Sequence, residues 1–478
     1  MDILHDHAAS LYAHASMTHS ARPLWGGRAR APLVGAAAEL SNSISIDRPL
    51  APYDVAASRA WVAELAAAGL VDASGLARLD ETLERIGAEL AAGTFAWKDQ
   101  HEDVHMNVEA AVREAVGPEL AGQLQAGRSR NEEVVADERL WLLDAVRRIE
   151  RGLLACARTI VRRAADEIET VVPAHTHTQP AQPMLLAHHL LAHAEALLRD
   201  RERFADVTRR LDRSPLGSGA SVGSGLAIDR DRLAARVGFG SISTNSLDAV
   251  ADRDYAIEAV SAAAIAFIHL SRIGADLVLW STPYFGFARI GDGYATGSSM
   301  LPNKRNPDVA ELIRARAARA HGALASMLGC VTGLPLGYHR DLQELRAPME
   351  EAIESLLLCL DAMNGMLEEV AFDREAMRRA ATGGHALATA LAERLLGAGV
   401  PFREAHWRVG DLVTRADELG CDLADLPLDE LRRRLPELAQ EPHPIPTLDE
   451  ALAAADVPGG TNPARVRAAL NEIKERIA

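Results

Sequence analysis

The segment from Gly291 to Pro307, GDGYATGSSMLPNKRNP, combines small, polar and charged residues that could do chemistry. It contains adjacent serines and Lys304, one of only three lysines among 51 basic residues. Asn306 and Pro307 are good helix-starting residues, so Lys304 lies beside a predicted helix N-terminus, where free N–H groups favour an anion. Loops this long are uncommon in compact domains unless they are functional. We therefore interpret this segment, called the serine loop below, as part of a site for an anionic substrate.

A second polar segment, Pro173 to Pro183, begins a group of five histidines within nineteen residues: His175, His177, His188, His189 and His193. A metal site is one interpretation. However, Leu190 stands where the HExxH motif has glutamate, and no cysteine lies nearby, so a metal is not favoured. Buried or helix-capping roles are the simpler interpretation for the three histidines after Pro183. His177, in a polar turn, is a better candidate for general acid–base catalysis.

A third segment, Gly127-Arg128-Ser129-Arg130-Asn131, opens a long predicted helix. Two arginines with a serine and an asparagine at a helix start suit bidentate binding of a carboxylate. An ordinary capped and charged helix start would carry similar residues, so this segment alone is a weak signal.

A fourth segment, Gly219 to Gly223, satisfies the GxSxG pattern of serine hydrolases. That pattern requires a preceding strand, because the serine must lie on a sharp turn between a strand and a helix. Here the preceding residues are those of a charged helix, so we reject a serine hydrolase.

Long helices must position these segments. Apolar residues recur at helical spacing from about Tyr53 to Gly93, and few helix breakers occur in Asn131 to Val172, Met184 to Arg213 or Tyr255 to Ser281. The last stretch is apolar around most of its circumference, which is typical of a helix buried among other helices. Several such rods predict an extended bundle shared between subunits. The sequence shows no clear alternation of apolar and polar residues, so we do not predict a sheet.

Composition excludes several classes of protein. The chain has 478 residues and a formal net charge of −16, whereas a general nucleic-acid or membrane-surface binder needs a basic surface. The chain has no stretch of about 18 uninterrupted apolar residues, so the sequence does not predict a transmembrane helix. The first residues do not form a secretion signal. Four separated cysteines without a CxxC pair indicate buried thiols of a cytoplasmic protein.

Together, and in this order, the segments resemble the argininosuccinate lyase family of the fumarase/aspartase superfamily. The superfamily signature is GSSMLPNKRNP in the serine loop. The family is indicated by LWGG (24–27), SISID (43–47), EDVHMN (102–107), GRSRN (127–131), THTQ (176–179), PLGSGA (215–220), NSLDAVADRD (245–254), LPLGYHRDLQE (334–344), GVPFREAH (399–406) and VPGGT (457–461). The match extends over nearly the whole chain from about residue 24.

The resemblance implies an all-α subunit with an N-terminal helical domain over 1–127, a central long-helix bundle over 128–379 and a small C-terminal helical domain over 380–478. It implies a homotetramer in which the central domains form a twenty-helix core and each active site is built from three subunits. The reaction it implies is the reversible β-elimination of argininosuccinate to arginine and fumarate. Neither a metal nor an organic cofactor is implied.

The resemblance also implies roles for individual residues. Ser298 is the base and Lys304 stabilises the anions that form, while His177, paired with Glu311, acts on the leaving-group side. Substrate-binding positions are Ser43, Asp103, His105, Ser129, Arg130, Asn131, Thr176, Asn306, Tyr338, Gln343 and Arg346. The residue chemistry agrees independently, because removing a proton beside a carboxylate requires a base, a cation for the new charge and an acid for the leaving nitrogen.

The chain departs from the family pattern at several positions: Ala174, His175 and Thr178 around the THTQ turn, Glu132 and Glu133 after GRSRN, Leu345 and Arg346 after LPLGYHRDLQE, and Ala390. Arg346 stands where a substrate-binding lysine is expected, and the two cations differ in shape. Several of these positions belong to the amino-acid half of the substrate site.

Two alternatives to argininosuccinate lyase activity remain open. One is a related lyase that releases fumarate from another N-substituted aspartate. The other is a non-enzymatic structural relative, which the presence of Ser298, His177, Lys304 and Glu311 disfavours. Adenylosuccinate lyase and aspartase are less favoured, because the GRSRN and LPLGYHRD segments indicate a different family.

Overall fold

The computed structural model describes residues 33–478, so the LWGG motif and residues 1–32 of the predicted N-terminal domain lie outside it. The helices of the described part are α1 (Ala36–Ser41), α2 (Ile44–Asp47), α3 (Ala51–Ala67), α4 (Ala73–Ala91), α5 (Val104–Val116), α6 (Pro118–Leu124), α7 (Arg130–Asp166), α8 (Leu186–Leu211), α9 (Arg230–Val237), α10 (Ser246–Ala251), α11 (Asp254–Trp280), α12 (Asp308–Val331), α13 (Arg346–Glu369), α14 (Arg374–Thr382), α15 (Ala388–Gly397), α16 (Phe402–Leu419), α17 (Leu428–Arg434), α18 (Leu448–Ala454) and α19 (Pro463–Arg476). The predicted all-α class is confirmed.

Within residues 33–478, six short strands lie in the connections: β1 (Val171–Thr176), β2 (Gln179–Leu185), β3 (Ala288–Arg289), β4 (Thr296–Gly297), β5 (Arg305–Asn306) and β6 (Ala371–Phe372). They form two-stranded antiparallel ladders, β1 with β2, β3 with β6 and β4 with β5. The sequence predicted none of them. The predicted helix over 131–172 ends earlier, at Asp166, because the β-branched pair Val171-Val172 and Pro173 favour extended backbone.

Five helices, α7, α8, α11, α12 and α13, pack side by side into the central bundle. At about 1.5 Å per residue, the 37 residues of α7 extend about 55 Å. Small residues allow close packing: a Cβ atom at Gly274 of α11 would lie 2.9 Å from the carbonyl oxygen of Ala310 on α12. The alanine-rich composition therefore yields a closely packed core without many aromatic side chains.

Helix α11 is long and apolar enough to cross a membrane by length and composition, with a mean hydropathy of 1.6 over its best window. Half of that window is nevertheless buried inside the fold, where α11 packs against α8, α12 and α13. A core helix of a large bundle has the same composition.

Two smaller groups of helices flank the bundle. The N-terminal helices pack on the start of α7, where the indole N–H of the fully buried Trp61 donates to the carbonyl oxygen of Ala126 at 3.2 Å. Helices α15 to α17 enclose a separate apolar core that includes Leu391, Leu412 and Leu431. The last two helices, α18 and α19, contribute instead to the main core.

The bundle has two ends that matter for the site. The hairpin end holds the β1–β2 hairpin, the start of α8, the end of α11 and the serine loop. The hairpin contacts the segment that follows α11 there, where the ring centroids of His175 and Phe285 lie 5.7 Å apart. The arginine end holds the start of α7 at Arg130, the start of α13 and the N-terminal helices.

Candidate functional site

The serine loop is closed at its base. Strand β4 pairs with β5, with Thr296 opposite Asn306 and Gly297 opposite Arg305. The Arg305 guanidinium contacts Asp292 at 2.5 Å and also donates to the carbonyl oxygen of Ile290. These contacts join the two stems of the loop, so its tip is held on a fixed frame.

Ser298 and Lys304 lie on two successive turns of this tip. The Ser298 hydroxyl oxygen accepts hydrogen bonds from the N–H groups of Met300 at 3.3 Å and Leu301 at 3.0 Å. The Lys304 N–H donates to the carbonyl oxygen of Leu301 at 3.1 Å. Two backbone N–H groups directed at one hydroxyl oxygen favour negative charge on it. Ser298 is half-buried and Lys304 is exposed, so both can be reached by a ligand or another subunit.

His177 lies at the tip of the β1–β2 hairpin. Thr176 pairs with Gln179, so His177 and Thr178 form a two-residue turn with φ angles of 54° and 58°. Both residues are in the left-handed region, which costs a non-glycine residue about 1 kcal/mol or more. Such strain is typical of functional sites, and here it holds an exposed imidazole away from the bundle. Glu311 is exposed in the first turn of α12 at the same end.

The arginine end carries a second group of predicted site residues. The carboxylate of Asp103 caps α5 by accepting from the N–H of Met106 at 2.8 Å, and its other oxygen accepts from the Arg130 guanidinium at 2.7 Å. The buried Ser43 hydroxyl donates to Asp47, and the Ser43 N–H donates to the carbonyl oxygen of Glu102 at 2.7 Å. The SISID, EDVHMN and GRSRN segments are therefore in direct contact.

His105 lies beneath this group in a buried cluster of charges. Its Nδ1 contacts Asp54 at 3.0 Å and Asp137 at 3.7 Å, and all three side chains are almost completely buried. Burial alone lowers the pKa of His105, but the charge and hydrogen bond of Asp54 outweigh it and raise the pKa to about 10. His105 is therefore an imidazolium at neutral pH, paired with the Asp54 carboxylate, whereas burial and the neighbouring charge of Asp54 raise the pKa of Asp137 well above its usual range.

The start of α7 explains two departures from the family pattern. Ser129 caps the helix and Glu132 completes a capping box by accepting from the Ser129 N–H at 3.1 Å. The second oxygen of Glu132 accepts from the N–H of Gly219 at 2.9 Å, and Asn131 donates to the carbonyl oxygen of Ala220 at 3.2 Å. Glu133 pairs with the buried guanidinium of Arg128. Both glutamates therefore have partners within the fold. The GxSxG segment lies in turns that follow helix α8, and its backbone groups contact the start of α7.

The segment from Tyr338 to Arg346 joins the arginine end. The Arg340 guanidinium donates to the carbonyl oxygen of Ser41 at 2.6 Å, which holds Tyr338 and Gln343 beside the SISID segment. Burial raises the pKa of the half-buried Tyr338. Arg346 is 1% exposed and its guanidinium stacks 4.3 Å from the Trp141 ring centroid. Its Nη2 lies 3.3 Å from a carboxylate oxygen of Glu350, but Nε, Nη1 and Nη2 have no hydrogen-bond partner of good geometry within residues 33–478.

The structure thus divides the predicted site residues into two groups. The hairpin end holds Thr176, His177, Ser298, Lys304, Asn306 and Glu311, and the arginine end holds Ser43, Asp103, His105, Ser129, Arg130, Asn131, Tyr338, Gln343 and Arg346. Helix α7 separates the two ends by on the order of 50 Å. The two groups therefore do not meet within one chain.

Sequence reasoning missed several residues that support the site. Asp47, Asp54, Asp137 and Arg340 each hold a predicted site residue or its segment. Asp47 lies within the SISID segment and Arg340 within LPLGYHRDLQE, so these motifs included the two residues without assigning them a role. Asp54 is an acidic residue among the mostly apolar buried residues of α3, which is the signal that could have identified it, whereas Asp137 lies among other buried charged residues of α7 and gave no such signal.

Two family models match the chain. One described as "Lyase" covers residues 31–322, and one described as "Argininosuccinate lyase C-terminal" covers residues 385–453.

The curated and solved relatives agree with these models. The argininosuccinate lyase of Hyphomonas neptunium is 43% identical over 458 residues, which is 95% of this chain and 98% of the relative. That of Mycobacterium avium is 44% identical over 443 residues, covering 93% of this chain and 94% of the relative. A solved variant of EDDS lyase with bound fumarate superposes with a TM-score of 0.79 at 26% identity, covering 92% of this chain and 88% of that one.

Proposed function

The chain belongs to the argininosuccinate lyase family, and from that membership we propose how its side chains carry out the elimination. It is a carbon–nitrogen lyase whose reaction is the reversible cleavage of argininosuccinate into arginine and fumarate. The observation that supports the mechanism is the serine loop, which provides a hydroxyl, two N–H groups and a lysine within seven consecutive residues.

The first step is the removal of a proton from the carbon next to a substrate carboxylate. A serine hydroxyl is too weak an acid to lose its own proton readily, but the N–H groups of Met300 and Leu301 stabilise the alkoxide of Ser298, which takes the proton from carbon and becomes a hydroxyl. The electron pair released from carbon moves into the carboxylate, which becomes doubly negative. The ammonium group of Lys304 stabilises this charge as it forms.

In the second step the electron pair held by the doubly negative carboxylate returns to form the carbon–carbon double bond of fumarate, and the carbon–nitrogen bond breaks with its electrons leaving on nitrogen. The leaving guanidino nitrogen must gain a proton, and His177 is the donor, with Glu311 polarising the imidazole. The strained turn that projects His177 from the hairpin supports this role, because it leaves the ring free to contact a substrate.

The arginine end binds the substrate. The Arg130 guanidinium, fixed by Asp103, offers its remaining donors to a substrate carboxylate, while Ser43, Ser129, Asn131, Tyr338 and Gln343 provide polar contacts around it. Arg346 forms an ion pair with Glu350, and a bound carboxylate would give its remaining donors a hydrogen-bond partner, which favours binding there.

A complete site requires more than one copy of the chain, because the two groups of residues lie at opposite ends of the bundle. Exposed apolar residues occur next to both groups: Met300 is 85% exposed in the serine loop, and Leu336 is 74% exposed beside Tyr338. Subunit contacts would cover them. A homotetramer with a twenty-helix core, three-domain subunits and sites shared by three subunits meets this requirement. The enzyme is soluble, and we assign it to the cytoplasm.

Two measurements test this proposal. Release of fumarate, followed by its ultraviolet absorbance, is expected with argininosuccinate and not with adenylosuccinate or aspartate. Preference for a different N-substituted aspartate would instead support the related lyase, and no release with any substrate would support a structural role.

The shared site is tested by mixing inactive variants. Ser298→Ala removes a group at the hairpin end and Arg130→Ala one at the arginine end. If sites are shared, the two variants refolded together regain a measurable fraction of wild-type activity, because some sites then contain neither substitution. A mixture that stays as inactive as its components would contradict shared sites.

A further inference from the structure

Outside the residues assigned to the elimination, two histidines and a carboxylate converge at the hairpin end. Helix α8 carries His189 and His193 four residues apart, so both rings project from the same face of its first turns. Asp276 lies near the end of α11 and faces them. Its Oδ2 accepts from the Nε2 of His189 at 2.7 Å and of His193 at 2.8 Å.

We propose that His189, His193 and Asp276 form a binding site for a divalent transition-metal ion such as Zn²⁺, which would link the start of α8 to the end of α11. Two imidazoles at i and i+4 with one carboxylate are a donor set that zinc prefers, with water completing a tetrahedron. Sequence reasoning disfavoured a metal because residue 190 is leucine. The carboxylate comes instead from a helix 83 residues farther along the chain than His193.

The spacing of the donor atoms fits such an ion. The three ligand atoms lie within 4.8 Å of one another. Around tetrahedral zinc with bonds of about 2.0 Å, neighbouring ligand atoms lie about 3.3 Å apart. Each histidine Nε2 therefore has to move only about 0.5 Å farther from Asp276 Oδ2 to make room for an ion. The ion would replace the two protons that now lie between the histidine nitrogens and this oxygen. Rotation of the imidazoles provides such a shift without moving the backbone.

The site is also reachable and supported. The side chains of His189, His193 and Asp276 are 24%, 16% and 29% exposed, so an ion can enter from solvent. The Trp280 ring packs against His189 with centroids 4.9 Å apart and limits the motion of that ligand. This inference does not depend on the proposed function, because none of the three residues is assigned a part in the elimination.

Metal titration of the full-length protein tests the site. Chelator-treated protein is titrated with Co²⁺ alone and with Zn²⁺ alone. We expect one ion per chain, a visible absorption band typical of tetrahedral Co²⁺, and a Tm raised by about 3 °C or more at saturating Zn²⁺. Binding of less than one ion per chain, or the absence of that band, would overturn the inference.

Matched variants assign the ion to this cluster. Asp276→Asn keeps an oxygen that accepts from the histidines but removes the charge, so it should fold and bind Co²⁺ about tenfold or more weakly. His193→Gln should lose the band as well. His188→Gln, on the same helix but outside the cluster, should bind as the wild type does. Equal Co²⁺ affinity in the wild type and Asp276→Asn would place the ion elsewhere and refute the site.

Fumarate release by the metal-free protein tests the lyase activity separately.

Discussion

The hydroxyl oxygen of Ser298 accepts a hydrogen bond from the backbone N–H of Leu301 at 3.0 Å. A second N–H, from Met300, approaches the same oxygen at 3.3 Å. A hydroxyl that accepts two hydrogen bonds is arranged to carry negative charge, which a serine must do to act as a base. Lys304 follows on the next turn, so the loop combines the base with a cation for the product of proton removal.

Replacing this hydroxyl should remove the base. We expect Ser298→Ala to lower kcat by about 1,000-fold or more, since the positioned N–H groups then have no alkoxide to stabilise. The helix content and oligomeric state should not change. Ser299→Ala, at the neighbouring exposed position, is the control and should keep most of the activity. Near-wild-type turnover by Ser298→Ala would mean that another group is the base.

His177→Asn tests the acid on the leaving-group side. The change keeps a polar side chain that fits a left-handed turn but removes the group that transfers a proton. We expect kcat to fall by about 100-fold or more and the Tm to change little. His188→Asn provides the comparison. Similar losses of activity in the two variants would indicate that histidine at 177 has no special part in proton transfer.

Lys304→Arg tests whether the lysine acts in the transition state. Only three of the 51 basic residues are lysine, so arginine would be usual at a position that needed charge alone. A guanidinium is larger and distributes its charge over five donors, which fits the loop less well. We expect a loss of activity mainly in kcat, measured by steady-state kinetics with argininosuccinate.

The control for that substitution is Lys474→Arg on the exposed side of α19, which should be as active as the wild type. A Lys304→Arg enzyme with a raised KM and unchanged kcat would make Lys304 a general anion-binding residue.

The buried pair of His105 and Asp54 should make stability depend on pH. Because the pKa of His105 rises from 6.5 to about 10 on folding, its contribution is complete below about pH 6.5 and is lost as the pH rises through about 10. Asp54→Asn removes the main carboxylate partner. We expect it to destabilise the fold by about 3 kcal/mol near neutral pH and to weaken the fall in stability between these pH values.

Thermal unfolding between pH 6 and 10 measures this effect. Asp80→Asn breaks an ion pair with Arg59 in which both side chains are about 40% exposed, so it should cost less than about 1 kcal/mol. The assignment of His105 as a buried imidazolium would be contradicted if the wild-type Tm did not fall toward pH 10. It would also be contradicted if the Tm of Asp54→Asn fell as much as that of the wild type.

Local spacing in the sequence determined the helical architecture. The predicted helices over Met184 to Arg213 and Tyr255 to Ser281 correspond to α8 and α11 within two residues at each end, because a helix depends on side chains three and four positions apart. The serine loop was likewise identified from residue types within one short segment. The β1–β2 hairpin was missed, since its proline-rich strands carry no clear alternation.

Tertiary structure alone decided which side chains meet. Asp54 approaches His105 across 51 residues, and Asp276 approaches His189 across 87, and no local pattern encodes either contact. The separation of Ser298 from Arg130 is set by the length of α7 and by the antiparallel packing of the bundle. Helix formation depends on neighbours within one turn, whereas the contacts between helices depend on how their faces pack together, and a single sequence does not reveal that packing.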